Sequence, residues 1–381
     1  MIPVTPRGFK DVLPDEARWR ESITRRVQAT LSSWGYAPIE TPTLEVLDVL
    51  ELGGQMSETP FRLFDSDGAL LVLRPDVTLP IARLVASRLG AISEALRFRY
   101  VQPVFREEES LRGQAREFTQ IGVENIENIG QSGASADAEV ILLMVDALKA
   151  CELQEFKVAI CTVSVLRDLL SVIVDEGDAT PEWRASVLRA CHQSNIVEVG
   201  RLAQDPRVDR RYGYALQELL NIRGGCEAIL QCRKLVEPLG CGKGLTALTQ
   251  AYEIIEKVGA TEFVTVDFSV MSAFDYYTGL VFEAYAPRLG VPLGCGGRYD
   301  RMLEAYGMKA AAAGFAFTLE RVMEALLEQG ITADESVLNP QYQPVFLDKA
   351  NPAEAFIEAA SLRASGQRAV LTRSNREDGS E

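Results

Sequence analysis

Residues Phe98–Asn125 read FRYVQPVFREEESLRGQAREFTQIGVEN. Phe98–Val101 and Phe118–Glu124 both alternate bulky with polar side chains, the period-two pattern of strands with two different faces. A long polar loop with Arg112, Gly113 and Arg116 joins them. The polar face carries Arg106, Glu108, Gln120 and Glu124. An arginine offers a planar fork to a carboxylate or phosphate, and Glu or Gln can hold an ammonium or an imidazole nitrogen. A flat sheet surface with these groups suits a small zwitterion or a nucleotide. A solvated hairpin with cross-strand ion pairs is the plainer reading of the same residues.

Upstream, Phe61–Leu73 predicts a hairpin turning at Ser66-Asp67-Gly68. Arg74-Pro75-Asp76-Val77-Thr78 follows, with Pro75 forcing Arg74 to be extended. Asp76 and Thr78 fall at the start of a helix, about Leu79–Arg88, as plain caps or as the wall of a ligand pocket. A helix is expected from Pro14 to about Trp34, ended by Gly35. Tyr36–Leu44 is extended and carries Pro38 and Pro42, which place it at a sheet edge or a subunit boundary.

Downstream, a helix over Ala136–Cys151 and a strand over Phe156–Cys161 precede a change of character. From about Ser164 to Val258 the periodicity is helical, an insertion in an otherwise mixed domain. Its Gly240-Cys241-Gly242-Lys243-Gly244 run lacks phosphate-loop spacing, because Gly244 stands where Ser or Thr belongs, so it predicts an interhelical loop. Strands are expected at Thr261–Val270 and Leu280–Tyr285, with a turn or edge at Asp275–Gly279. The run Leu293–Asp300, with Gly294, Gly296 and Gly297, is expected as a tight structural turn. Its glycines would equally admit a close ligand or strand. A short helix over Arg301–Tyr306, a buried strand over Ala310–Phe317 and a helix over Thr318–Gln329 follow. Arg321 opposes the dipole at that helix start, so it is expected to reach an anion or a carboxylate. Residues 331–343 have linker composition. Strand, helix and strand then run from Pro344 to Arg373, a piece too small to bury much by itself.

The bulk numbers exclude several classes. The chain has 381 residues, enough for two or three domains, with 47% hydrophobic and 24% charged content. A net charge of −15 argues against a large nucleic-acid surface. No long apolar run or leader pattern occurs, and a cytoplasmic protein without membrane association is expected. The seven cysteines never form a C-x-x-C pair, so buried free thiols are expected rather than disulfides or a metal site. His192 is the single histidine, away from any motif, which argues against histidine-dependent hydrolysis and zinc chemistry.

Taken in order, these segments resemble class II aminoacyl-tRNA synthetases, in particular histidyl-tRNA synthetase and its paralogues, over about residues 5–330. Pro42 and its surroundings resemble the first class motif, a dimer interface. Phe105-Arg106-Glu107-Glu108 through Phe118 resembles the second, and Gly314–Arg321 the third. Arg74–Thr78, Gln120 with Glu124, Asp275–Gly279 and Gly296–Asp300 resemble the histidine-specific pattern. The implied fold is α+β: an antiparallel synthetase-like sheet flanked by helices, forming residues 1–330 with the helical insertion at about 164–258. A linker and a short β-α-β segment over 331–381 complete it.

The departures from the synthetase pattern bear on function. The synthetases carry an Arg-Gly pair where Ser272-Ala273 stands here. The acid after Arg-Pro is usually Glu and is Asp76 here. The anticodon-binding domain of roughly a hundred residues, an ordinary domain size, is replaced by residues 331–381. Together these features are similar to the regulatory-subunit family of ATP phosphoribosyltransferase, synthetase paralogues without aminoacylation activity. The resemblance implies a non-catalytic partner of a short catalytic ATP phosphoribosyltransferase, in a hetero-octamer of the histidine pathway that contains a homodimer of this core. Histidine would act as feedback effector, with no tRNA, metal or cofactor. It also implies a histidine pocket of Asp76, Thr78, Arg106, Gln120, Glu124, Tyr276, Tyr277 and Tyr299, and a vestigial nucleotide site of Arg106, Glu108 and Arg321. There the two arginines are expected to bridge carboxylates such as Glu108. An active synthetase-like enzyme, an amino-acid sensor with a different partner and a purely structural paralogue are the alternatives.

Overall fold

The structure is a computed structural model and describes residues 4–54, 59–90, 94–107, 115–129, 132–270, 276–347 and 351–373. Glu108, Arg112, Gly113, Ser272, Ala273 and Asp275 lie outside these residues. Two compact units divide the chain. One is Met1–Asp11 with Ile23–Ile331, and the other is Val12–Ser22 with Thr332–Glu381.

Helix α1 (Pro14–Ser33) has proline at its first position and buries Ile23, Val27 and Leu31, one stripe at a spacing of four. The extended segment after Gly35 supplies β1 (Ala37–Pro38) and β2 (Leu44–Val46), followed by α2 (Leu47–Leu52). The predicted hairpin is present as β3 (Arg62–Phe64) and β4 (Leu70–Leu73), and α3 (Thr78–Arg88) follows. The opening stretch forms β5 (Leu96–Phe105) and β6 (Glu117–Glu127), longer than its alternation alone marks. Next come α4 (Ala134–Ala150) and β7 (Lys157–Thr162).

The insertion is helical: α5 (Val163–Glu176), α6 (Pro181–His192), α7 (Ile196–Ala203), α8 (Arg210–Leu219), a two-residue β8 (Arg223–Gly224), α9 (Cys226–Val236) and α10 (Leu245–Val258). Side chains of Thr180, Asn195 and Asp209 accept from backbone N–H groups at the starts of α6, α7 and α8, the usual remedy for unpaired donors there. Gly240, at φ 77°, closes a single 3-10 turn, and the glycine run is an interhelical loop as expected. The chain then returns to the sheet through β9 (Val264–Asp267), β10 (Leu280–Tyr285), β11 (Gly294–Arg298), α11 (Met302–Ala305), β12 (Ala311–Thr318) and α12 (Leu319–Glu328).

Nine strands form one sheet in the order β1-β5-β6-β12-β11-β10-β7-β9-β8. Its ladders are antiparallel except β1 with β5 and β7 with β9. A second, antiparallel sheet has the order β2-β4-β3. This is the large, mostly antiparallel sheet with helices that the resemblance implies.

One expectation fails here. The glycine run at Leu293–Asp300 is not a turn but β11, inside the sheet. A Cβ on Gly294 would sit 2.3 Å from the Ala316 carbonyl, and one on Gly296 would sit 2.4 Å from the Phe282 ring. Absent side chains let β10 and β12 crowd in from either side. The strand predicted over Thr261–Val270 also narrows to Val264–Asp267.

In the second unit, α13 (Glu335–Leu338) interrupts the linker, and Arg18 donates to the Leu338 carbonyl at 3.0 Å. The parallel pair β13 (Gln343–Leu347) and β14 (Ala369–Arg373) flanks α14 (Pro352–Ala364). Its buried core is Val345, Ala355, Ala359 and Ala369, and Phe346 and Ile357 remain exposed. Three of those four residues are alanine, so this core is thin.

Candidate functional site

The face of β6 that carries Gln120, Gly122 and Glu124 forms the floor of a cavity of about 360 Å³. Asp76 and Thr78 enter from the start of α3, Arg106 from the end of β5, Tyr276 and Tyr277 from the segment before β10, Tyr299 from the end of β11 and Arg321 from α12. The geometry brings these residues together from segments more than two hundred positions apart. His192 is not among the lining residues. Among the described residues no cluster of three His, Cys, Asp or Glu is placed to hold a metal ion.

Two glycines let neighbouring groups pack closely on this face. A Cβ on Gly314, opposite Glu124 in the β6–β12 ladder, would lie 2.1 Å from a Glu124 carboxylate oxygen. A Cβ on Gly122 would lie 2.4 Å from the Tyr100 hydroxyl and from the Phe315 carbonyl. Glu124 is 1% exposed. Thr78 donates its hydroxyl to one carboxylate oxygen at 2.7 Å, and Tyr299 donates to the other through a short hydrogen bond. Burial pushes the carboxyl up to about 8, while the two hydroxyl donors pull it down and the Asp76 charge adds to the rise. Near neutrality the group therefore carries a proton much of the time.

Gln120 is 8% exposed, and among the described residues no donor reaches its buried side-chain oxygen. Asp76 Oδ1 accepts from Leu79 N at 2.9 Å, so Asp76 both caps α3 and lines the cavity. Tyr276 packs on Tyr277 with centroids 4.7 Å apart and meets Tyr299 edge-on at 6.0 Å, an aromatic wall. Burial raises the pKa of all three phenols, keeping them neutral donors.

The two guanidinium groups have partners the sequence did not indicate. Arg106 Nε donates to the Pro75 carbonyl at 3.1 Å, and its charge lies 4.8 Å above the Phe118 ring. Arg321 Nη1 donates to the Pro292 carbonyl at 2.9 Å. The expected bridge to Glu108 falls outside the described residues.

Sequence reasoning missed Glu283 and Cys295, which face each other across β10 and β11 and line the same cavity. Glu283 accepts a short hydrogen bond from Tyr285, and burial raises its carboxyl pKa. Burial lifts the Cys295 thiol to about 12. Glu283 is the one charged residue in the apolar run LVFEAY, and that signal was legible.

In sum, one end of the cavity offers carboxyl, amide and hydroxyl oxygens, the wall is aromatic, and two guanidinium groups reach in. That set suits an amino acid with a polar ring.

The profile of the family described as histidyl-tRNA synthetase matches residues 8–322. An ATP phosphoribosyltransferase regulatory subunit of Halalkalibacterium halodurans is 38% identical over 369 residues, 96% of this chain and 89% of that protein. The crystal structure of an ATP phosphoribosyltransferase regulatory subunit/histidyl-tRNA synthetase from Bacillus halodurans superposes with a TM-score of 0.85 at 35% identity, covering 99% of this chain and 94% of that one. Histidyl-tRNA synthetase from Nostoc reaches 0.80 at 21% identity, over 99% of this chain and 87% of that one, a likeness of fold alone.

Proposed function

This chain belongs to the family of ATP phosphoribosyltransferase regulatory subunits, built on the histidyl-tRNA synthetase fold, and on that premise we propose that it regulates a short catalytic ATP phosphoribosyltransferase through histidine held in the cavity. The histidine ammonium lies toward Asp76 and Gln120. The imidazole lies among Glu124, Tyr277 and Tyr299, and Arg106 takes the carboxylate. The observation that carries this reading is the convergence of Asp76, Gln120, Glu124 and Arg106 on one aromatic-walled cavity. An acid and an amide suit a cationic ammonium, and a guanidinium suits a carboxylate.

The subunit itself is non-catalytic in this proposal. Ser272-Ala273 replaces the Arg-Gly pair of the synthetases, and loss of one donor to developing charge lowers a rate by about 10² to 10³. Binding a ground-state amino acid needs no such donor. Feedback requires that histidine bind the inactive assembly more tightly than the active one. A homodimer through the segment around Pro42 fits the exposed Leu44, Val46 and Phe64 of the small sheet. A hetero-octamer with the catalytic subunit and a cytoplasmic location complete the proposal. Among the described residues no helix is long and apolar enough to cross a membrane.

Calorimetric titration with histidine, paired with a histidine-dependent ATP–pyrophosphate exchange assay, tests the reading. Saturable binding with no exchange is expected. Exchange at synthetase rates, or no binding, would overturn it.

A further inference from the structure

Thr41, Arg74 and Gln102 form a buried polar group beside the cavity, and none of the three lines it. Arg74 is 2% exposed. Among the described residues, its side chain donates only to neutral oxygens. Nε bonds the Pro103 carbonyl at 2.8 Å, and Nη1 bonds the Thr41 carbonyl at 2.6 Å, the Pro42 carbonyl at 3.1 Å and the Thr41 hydroxyl at 3.4 Å. Burial lowers its pKa, and Glu45 and Glu40 compensate only as surrounding charges. A buried cation without a carboxylate is a poor device for stability, since an apolar side chain of similar volume often does as well or better. Its placement must be explained by what it holds in position.

The main chain of Arg74 is clamped as firmly as its side chain. Its N–H donates to the Thr43 carbonyl and its carbonyl accepts from Phe105 N, both at 3.0 Å. Pro75 follows with a fixed φ, and the Pro75 carbonyl accepts from Arg106 at 3.1 Å. Asp76 comes next, held on Leu79 N. A second route leaves from Thr41, whose hydroxyl donates to Gln102 Oε1 at 3.1 Å. Gln102 stands directly opposite Gln120 in the β5–β6 ladder, so both side chains share the cavity's face of the sheet.

We infer that Arg74 is a positioning residue for the amino-acid end of the cavity: anchored on Thr41 and Pro42, it sets Asp76 and Arg106, while Thr41 fixes Gln102, the ladder neighbour of Gln120. The ligand touches none of the three anchors. The inference rests on the proposed use of the cavity as a histidine site.

The test is calorimetric titration of the full chain with histidine. Thr41→Val keeps the shape and removes the hydroxyl. Thr41→Ser keeps the hydroxyl and removes the methyl. Arg74→Lys keeps the charge and removes the planar fork. Thr41→Val and Arg74→Lys are expected to raise Kd about tenfold, the effect of one well-placed hydrogen bond, and Thr41→Ser to stay within about twofold of the unaltered protein. A packing role would reverse the order of the two Thr41 variants, and that reversal overturns the inference. If Arg74→Lys does not fold, the Thr41 pair decides alone. Histidine binding to the unaltered protein with equal Kd in both Thr41 variants overturns this inference and leaves the proposed function standing. No binding to the unaltered protein overturns both.

Discussion

Replacing Glu124 by Gln is expected to stabilise the unliganded protein above neutral pH while weakening its hold on histidine. The carboxyl is lifted from an ordinary 4.5 to about 8 by burial. Between those values the folded state keeps a proton that the unfolded state has released. Stability from this group is therefore complete below about pH 4.5, falls as pH rises and levels off above about 8. At about 1.4 kcal/mol per pH unit, the penalty reaches about 3 kcal/mol at pH 7 relative to the protonated group. Glutamine has the same shape and no charge. Its oxygen can accept from Thr78 or Tyr299, and the other hydroxyl can rotate to accept from its amide. Glu124→Gln should thus raise the unfolding free energy, with a gain that grows from pH 6 to pH 8. Urea unfolding of both proteins at pH 6, 7 and 8 measures this. A difference that stays constant with pH, or a variant less stable at pH 8, would refute the reasoning.

Asp76→Asn should keep the cap on Leu79 N, and so the melting temperature, yet weaken histidine in a calorimetric titration about tenfold, the loss expected for a charge-assisted hydrogen bond made neutral. Gly314→Ala places a Cβ against Glu124 and the Val123 carbonyl. It should lower stability by about 1–3 kcal/mol and abolish histidine binding, as read by urea unfolding and titration. Arg298 holds Asp137 at 2.8 Å with both side chains largely buried. Arg298→Ala should destabilise by about 3–5 kcal/mol, because it strands a buried carboxylate, and Arg298→Ala with Asp137→Asn should recover part of that loss in the same assay.

What could be read from the sequence follows from how local each signal is. The alternation in β5 and β6, the proline that opens α1 and the stripes of the insertion are effects of neighbouring residues, and each produced its element. Asp76, Thr78, Gln120 and Glu124 were legible because each sits in a short pattern that fixes which way it points. β11 was not, because its glycines are explained by Phe282, Ala316 and Phe317 on other strands, and nothing in Leu293–Asp300 itself encodes them. The bond from Arg321 to the Pro292 carbonyl was not legible either, because that carbonyl is supplied by a loop from another part of the chain. The grouping of Val12–Ser22 with the C-terminal unit rests on contacts such as Arg18 to Leu338, between residues 320 positions apart. The resemblance, by contrast, depended on several weak motifs standing in one order, and the family comparisons agree with it.

The central claim is that this chain governs a catalytic partner through histidine. The measurement that tests it most directly is phosphoribosyl-ATP formation by a short catalytic ATP phosphoribosyltransferase, with and without this protein and across a histidine titration. The account predicts a rate that rises when the chain is added and falls as histidine is raised, with Asp76→Asn shifting the inhibition to higher histidine. A rate indifferent to the chain, or one stimulated by it but insensitive to histidine, would contradict the account.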